Sequence, residues 1–507
     1  MINKNYSYFN HLIYNKCIII IFFLLFLNFF FLQINNESNT NIPELFYFNN
    51  QTLRILIPEK KCKYVSPITL YFSSNFRNDN IPKEFEVKEI NIKDKNYFVS
   101  FFVNNFNYDS YIQLLNHHGL IRSKFIYGNN NLFISHIGKN PLSKINNDYD
   151  LNKYQKVYQY IEGDYFFTKN ILYSQYKSLK NLFFQDFDYM PETYNYPEDR
   201  FIIQKYFKNY KLNLSDLWIL KPTNKYGGKG IKILKSLDEI KFKQYIISKY
   251  IVDIDLIKSK KYDLRLYILI SGLKPLRIYF YDEGLIRIAS EKYSVNIKSI
   301  KNKFMHLTNT DVNKYNKKFI HPTHFNDENA NMWNLNMYKK YLKKSNVEWN
   351  DIYERIKDII IKTIISLNQK LIESNEEKHL DDKSFYNLLG FDILMTKDFV
   401  PKLLEVNYSP QMFIHNNLDR SIKNNLFVDT LNIVGIIPYS RKTNLPLNTQ
   451  FKVQSNIEEN INNALCELNR PRGDYKLIFP LKDNINRYKK YFIQLSEENL
   501  KFWTLIK

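Results

Sequence analysis

Two carboxylates and an amide stand close together in the run LGFDILMTKDFVPKLLEVN (389–407), whose two apolar arms flank a short Lys397-Asp398 turn. That is the pattern of an antiparallel hairpin. If the arms pair symmetrically about residues 398 and 399, Asp392 faces Glu405, and Asn407, two positions on, shares their face. Facing carboxylates repel, and one of them must take up a proton unless a cation lies between. Oxygen ligands with an amide beside them suit Mg²⁺, completed by phosphate oxygens and water. The competing reading is a solvated hairpin with both acids outward, which would carry more polar neighbours than these.

A second group of residues could hold phosphate. Three of only 12 glycines, Gly227, Gly228 and Gly230, lie between the strand-like runs 218–220 and 231–234. Without Cβ atoms, backbone N–H groups can approach a phosphate closely. The spacing is not that of the common GxxxxGK[ST] loop, and a plain hairpin turn is the alternative. Lys221 ends the preceding apolar strand, where a cation reaches phosphates. In YDLRLYILISGLKPLRIYFYD (262–282), Leu264, Leu266, Ile268 and Ile270 share one face of a strand. Asp263 and Arg265 then share the other, either lining a site or forming a structural pair.

These groups need a framework. Residues 262–282 read as a hairpin turning at 271–275, and 350–375 as a core helix with Ile352, Ile356, Ile359, Ile360 and Leu367 at helical spacing. Short irregular apolar runs over 61–165 predict a small mixed α/β subdomain. A central subdomain is expected over 166–251, a larger C-terminal one over 252–441, and a basic extension over 442–507. Residues 35–60 are polar and Asn-rich and read as a linker, after an amino-terminal segment 1–34.

Composition sets the outer limits. With 507 residues, 44% hydrophobic and 24% charged, the chain can bury several cores, and wholesale disorder is excluded. The net charge of +21 predicts an acidic partner: nucleic acid, an anionic membrane or an acidic protein. No nucleic-acid recognition module is visible, so nucleic acid is set aside. Three cysteines form neither a disulfide framework nor a metal-ligand spacing, which favours a reducing compartment. Against that stands CIIIIFFLLFLNFFFLQI (17–34), uncharged and preceded by Lys4 and Lys16, which reads as an uncleaved membrane anchor in preference to a cleaved signal, with a merely peripheral segment as the alternative.

Five strings in order, WILKPTNKYGGKGIKIL, KYDLRLYILI, YDEGLIRIASEKYS, MHLTNTDVNK and GFDILMTKDFVPKLLEVNYSP, resemble the motif series of the tubulin tyrosine ligase-like family. Fainter likeness runs upstream through QKVYQYIEGDYFFTKNIL and MPETYNYPED. Downstream, LDRSIKNNLFVDTLNIVGIIP and ELNRPRGDYKLIFP are similar to its glutamylase branch. The resemblance covers residue 130 onward and leaves the anchor-like segment outside. It implies an α/β (α+β) ATP-grasp fold, whose N-terminal, central and C-terminal subdomains clasp ATP.

The implied activity is ATP-dependent ligation of free L-glutamate to glutamates of acidic tubulin tails, in the cytoplasm and on microtubules, through an acylphosphate. By resemblance, Lys221, Gly227 and Gly228 hold phosphates, and Lys261, Asp263, Thr308 and Asn309 contact nucleotide. Ser248, Lys249, Tyr250 and Ile251 match the hinge that carries adenine. Arg265 stabilises the transferring phosphoryl group; Asp392, Glu405 and Asn407 match the Mg²⁺ ligands; Arg287 and Lys423 grip the incoming glutamate. Ser248 stands where the family usually has Gln, and Gly227 where a larger residue is common. Thr310 and Asp311 replace Tyr-Ser, and Met332 replaces a Lys. The last three bear on which amino acid is added. The alternatives are a tyrosine ligase, a glycylase, a ligase for another acidic protein, and a catalytically silent microtubule-binding protein tethered to a membrane. In the carboxy-terminal region, Arg470, Arg472, Lys476, Arg487, Lys489 and Lys490 are the expected surface for an acidic partner.

Overall fold

Alternating apolar residues form β1 (Gln51–Pro58), which pairs with β2 (Thr69–Leu70) and β3 (Phe85–Ile92) in an antiparallel sheet of order β2-β1-β3. The computed structural model describes residues 51–506 except 59–67, 75–80, 84, 94–96, 104–108, 124–129, 135–150, 152, 209–213, 215, 235–238, 241–243, 379–380, 441, 444–445 and 447–455. The apolar stretch 17–34 lies outside the described residues, among which no helix is long and apolar enough to cross a membrane. Strand β1 falls inside the span expected to be a linker. An Asn-rich average hid Leu53 and Ile55, which are buried in alternation.

Next come four parallel strands, β4 (Ser100–Val103), β5 (Ile121–Arg122), β6 (Leu132–Ile134) and β7 (Lys156–Tyr158), with helix α1 (Asp109–His117) between the first two in sequence. Helix and strands alternate here, and β7 carries this parallel ladder into the large sheet described below. Helix α2 (Lys169–Leu182) leads into a separate antiparallel sheet. Its strands are β8 (Thr193–Tyr196), β9 (Trp218–Pro222), β10 (Lys232–Leu234) and β11 (Tyr245–Lys249), in the order β10-β9-β11-β8. Helix α3 (Arg200–Phe207) covers it, packing Ile203 and Phe207 against Trp218, Leu220 and Ile247.

The remaining strands build the large sheet: β12 (Leu256–Ile257), β13 (Lys260–Leu273), β14 (Leu276–Ile288), β15 (Met332–Asn334), β16 (Phe385–Met395), β17 (Pro401–Asn407) and β18 (Tyr475–Phe479). Strand β13 sits between β14 and β16, and β16 continues into β7, joining this sheet to the parallel strands. Leu264, Leu266, Ile268 and Ile270 do share one face. They pack with Ile356, Ile360 and Ile364 of helix α5 (Trp349–Glu377), which follows α4 (Leu335–Lys344). On the opposite face, Tyr267 and Leu269 meet Ile422 and Leu426 of α6 (Asn417–Val434). A carboxy-terminal pair, α7 (Asn456–Glu467) and α8 (Glu497–Leu505), joins through Leu465 and Phe502.

The basic carboxy-terminal surface differs from expectation at Arg470. Arg470 is 5% exposed. Lys476 pairs with Asp282, Arg487 with Asp358 and Lys490 with Asp186, each at 2.7 Å. Those three side chains are nonetheless more than half exposed, and Arg472 and Lys489 are exposed as well.

Candidate functional site

Four neighbouring strands bring the charged residues onto one face, because directly opposed residues of an antiparallel pair point the same way. Asp263 on β13 lies opposite Arg287 on β14, and Arg265 opposite Asp392 on β16. Asp392 in turn lies opposite Glu405 on β17, and Gly390 opposite Asn407. The hairpin symmetry about 398 and 399 holds at Asp392 but not nearer the tip, where Ile393 pairs with Leu403. One extra residue in β17, a bulge at Leu404, restores the register that sets the two carboxylates face to face.

The four buried charges beside them alternate in sign. Arg287 donates through Nε and Nη2 to both oxygens of Asp263, at 2.7 and 2.6 Å. Its Nη2 also lies 2.7 Å from Asp392 Oδ2. Arg265 donates from Nε to Asp392 Oδ1 at 2.6 Å and from Nη2 to Oδ2 at 3.1 Å. Thr308 donates its hydroxyl to Asp263 Oδ2 at 2.6 Å. Burial pushes the Asp392 carboxyl upward, but Arg265 and Arg287 outweigh it and hold the group well below the usual carboxylate range. Arg287, expected to grip a substrate carboxylate, is thus already engaged by Asp263 and Asp392.

Glu405 is less enclosed. Lys169 Nζ lies 3.6 Å from its Oε2. Asn407 donates from Nδ2 to Asp392 Oδ2 and to the Gly390 carbonyl, both at 3.4 Å. Among the described residues no three His, Cys, Asp or Glu side chains form a metal-holding group. The set here is two carboxylates and an amide oxygen, hard donors that fit Mg²⁺ with its remaining positions filled by water and phosphate.

Above this face, Lys221, Gly227, Gly228, Lys249, Tyr250, Ile251, Lys261, Asp263, Thr308 and Asn309 line one cavity with Asp392, Glu405 and Asn407. Gly227, Gly228 and Gly230 have φ of 63°, 75° and 76°, left-handed conformations that favour glycine. A Cβ on Gly228 would also press to 2.9 Å from Val312 and 3.1 Å from Asn309. Burial draws the Lys221 ammonium down to about 8, with Glu405 opposing. Burial draws Lys261 down to about 7, with Asp263 opposing. Lys261 donates to the Tyr250 hydroxyl at 3.2 Å, which lies 2.8 Å from His306 Nδ1. Burial, and then Lys261, lowers His306 to about 4. Ser248 is placed elsewhere: its buried side chain accepts a hydrogen bond from Thr193 at 2.9 Å, because alternation on β11 turns it from the cavity.

A second cavity adjoins the first through Arg287, Asn309, Glu405 and Asn407, and is lined by Arg265 and Lys423. Thr310, Asp311 and Met332, the positions that depart from the family pattern, line it too. Lys423 lies 3.0 Å from Asp419 and donates to the Phe413 carbonyl at 2.6 Å. Through Phe413 and His415 this cavity continues into a groove of about 860 Å³ containing His117, His118 and Arg420. His118 accepts from the Ser73 amide at 3.0 Å with Nε2 and has Nδ1 2.8 Å from the Leu114 carbonyl. Burial lowers its pKa, so it stays neutral there.

Sequence reasoning missed Lys169, which lines both cavities beside Glu405, and Asp164 of the second. Both lie in the QKVYQYIEGDYFFTKNIL string, whose resemblance was the only available signal. His306 sits inside the MHLTN string and carries no spacing cue of its own.

A model of the tubulin-tyrosine ligase family matches residues 144–444, more than half of the chain. Among curated proteins, the Mus musculus tubulin monoglutamylase TTLL4 is 33% identical over 254 residues, 50% of this chain and 21% of the relative. The Danio rerio tubulin polyglutamylase ttll6 is 28% identical over 364 residues, covering 68% of this chain and 46% of the relative. The Homo sapiens tubulin polyglutamylase TTLL5 is 30% identical over 323 residues, 63% and 24% respectively. The chain thus spans less than half the length of these relatives.

Proposed function

The chain belongs to the tubulin-tyrosine ligase family, and from that premise we propose that it is an ATP-dependent glutamylase acting on the acidic tails of tubulin in the cytoplasm. The observation that carries the proposal is the facing pair Asp392 and Glu405, with Asn407 beside them, beneath a cavity walled by Lys221, Lys261 and the Gly227-Gly228 loop. The names of the relatives support tubulin as substrate and glutamate as the added amino acid.

The residues divide the work between the cavities. Lys221, Lys261 and the glycine-loop amides would take the phosphates of ATP, while Lys249, Tyr250 and Ile251 border the base. Asp392, Glu405 and Asn407 would hold Mg²⁺, which when bound neutralises charge on the transferring phosphoryl group. A side-chain carboxylate of the tail attacks the γ-phosphorus, giving an acylphosphate and ADP. The amine of free L-glutamate then attacks that carbonyl, loses a proton and expels phosphate, which leaves an isopeptide bond. Arg265, fixed by Asp392 at the junction of the cavities, would stabilise the charge on the transferred phosphate. Lys423 faces the second cavity, where the amino acid's carboxylates would lie. The groove with His117, His415 and Arg420 would receive the acidic tail.

The test offers the purified chain tubulin, ATP, Mg²⁺ and labelled amino acids one at a time. Incorporation of glutamate that Glu405→Gln abolishes is the expected result. Incorporation of glycine or tyrosine instead would overturn the choice of amino acid. Loss of all incorporation in an ATP-binding protein would favour the silent microtubule-binding alternative.

A further inference from the structure

Lys261 and Asp263 stand two residues apart on β13, so both side chains rise on the face that carries the site. One segment beyond β14 braces them both. Thr308 holds Asp263 directly, through its hydroxyl, whereas His306 reaches Lys261 through Tyr250. His306 ends a short helical turn, Lys303–His306, fixed at its start by Asn302, whose Oδ1 accepts from the Phe304 amide at 3.0 Å. Tyr250, Lys261 and His306 are all buried, and all three line the cavity beneath the glycine loop. The imidazole meets the Tyr250 and Tyr293 rings edge to face, with centroids 5.6 Å apart in both cases.

Three groups act on the Tyr250 hydroxyl. Lys261 Nζ donates to it at 3.2 Å, and His306 Nδ1 lies 2.8 Å away. Tyr293 also acts on it, but gives its own proton to the Val252 carbonyl at 3.2 Å. A phenol has one proton to give, and a neutral imidazole has one bare nitrogen. Burial, and then Lys261, keep His306 neutral.

The tautomer of His306 therefore decides which way Tyr250 points its proton. With the proton on Nδ1, Tyr250 would accept from His306 and Lys261 at once. Its own proton would then be left to Tyr293, or to a lysine lone pair that an ammonium does not have. With Nδ1 bare, Tyr250 donates across the 2.8 Å contact and keeps its oxygen for Lys261, so every group is satisfied. Nε2 is buried with no hydrogen-bond partner among the described residues, and the Ser299 backbone, acting on the ring as an acceptor, favours the tautomer that carries its proton there.

We infer that His306 is a positioning residue for nucleotide binding: bare at Nδ1, it takes the Tyr250 proton and turns the Tyr250 oxygen towards Lys261, which fixes the ammonium in the cavity. This role rests on the reading of the cavity as a nucleotide site. A residue that acts through another is recognised by a double-mutant cycle. Isothermal titration of ADP with Mg²⁺ into the full chain at one pH supplies the readout. His306→Leu should weaken binding roughly 3- to 10-fold, the worth of one buried hydrogen bond. His306→Asn, whose amide oxygen can stand where Nδ1 stood, should recover most of that loss. In a Tyr250→Phe background, His306→Leu should cost nothing further. The same loss in both backgrounds, no loss in either, or no recovery with Asn overturns the inference. An unaltered chain that binds no ADP would refute the nucleotide site itself, and this role with it. If His306→Leu fails to fold, ¹⁵N NMR of the unaltered chain labelled at histidine decides through the tautomer. A proton on Nε2 with Nδ1 bare supports the role, and a proton on Nδ1 overturns it.

Discussion

Nucleotide binding should take up protons, and the structure sets how many. Lys261 is drawn down to about 7 by burial, so at pH 7.5 about three-quarters of free molecules hold it neutral. Polyphosphate beside the ammonium restores its charge, and binding then absorbs about 0.8 proton at pH 7.5 through Lys261 alone. Lys221, drawn down to about 8, adds about a quarter of a proton at that pH. The sign follows from linkage. The bound form carries the higher pKa, so affinity is full below pH 7 and falls as pH rises above it. From pH 7 to 8.5 the Lys261 contribution alone weakens binding by about 16-fold. Isothermal titration of ADP with Mg²⁺ in buffers of differing ionisation enthalpy measures the uptake directly. Lys261→Met should cut it to the Lys221 share. An affinity that stays flat from pH 7 to 8.5, or heats independent of buffer, would refute the reasoning.

Three further outcomes are expected. Glu405→Gln should lower amino-acid incorporation by at least about 100-fold while metal-free nucleotide binding changes little; near-normal turnover would remove Glu405 from the metal set. Arg287→Met leaves Asp263 and Asp392 buried with one partner fewer and should cost about 3–5 kcal/mol of stability by denaturant unfolding; a change under about 1 kcal/mol would mean that the pairing is not structural. Arg420→Glu should raise KM for the tubulin tail several-fold, with kcat and KM for ATP unchanged. A fall in kcat alone would place Arg420 outside the acceptor groove.

Legibility in the sequence followed the range of the interactions. The β13–β14 hairpin and helix α5 were readable because alternation and helical spacing are local. The facing of Asp392 and Glu405 was readable because a hairpin turn transmits register across about six residues, although the bulge at Leu404 was not visible. Strand β1 was lost in a window whose composition averaged as linker. The alternating lattice of Asp263, Arg287, Asp392 and Arg265 was illegible, since it depends on three strands meeting from distant parts of the chain. The same holds for Arg470, assigned to a surface by its charge and buried by contacts with Ile433.

That lattice explains how so many cations can be buried around one cavity. Each guanidinium has a carboxylate within hydrogen-bond reach, and burial lowers the charge of Lys221 and Lys261 in the cavity by favouring release of their protons. The lattice of Asp263, Arg287, Asp392 and Arg265 itself therefore carries no net charge. An arrangement with Lys221 and Lys261 fully charged would have to keep both out of water with no compensating anion, at a cost of several kcal/mol for each. On the proposed function, a bound polyphosphate would reverse the balance, its charge met by protons drawn from solvent and by arginines already oriented on Asp392 and Asp263. The rigid half of the site, the paired arginines, fixes geometry. The titrating half, the lysines, adjusts charge. That division makes Lys261, rather than either arginine, the residue whose replacement should alter the pH dependence of binding without disturbing the fold.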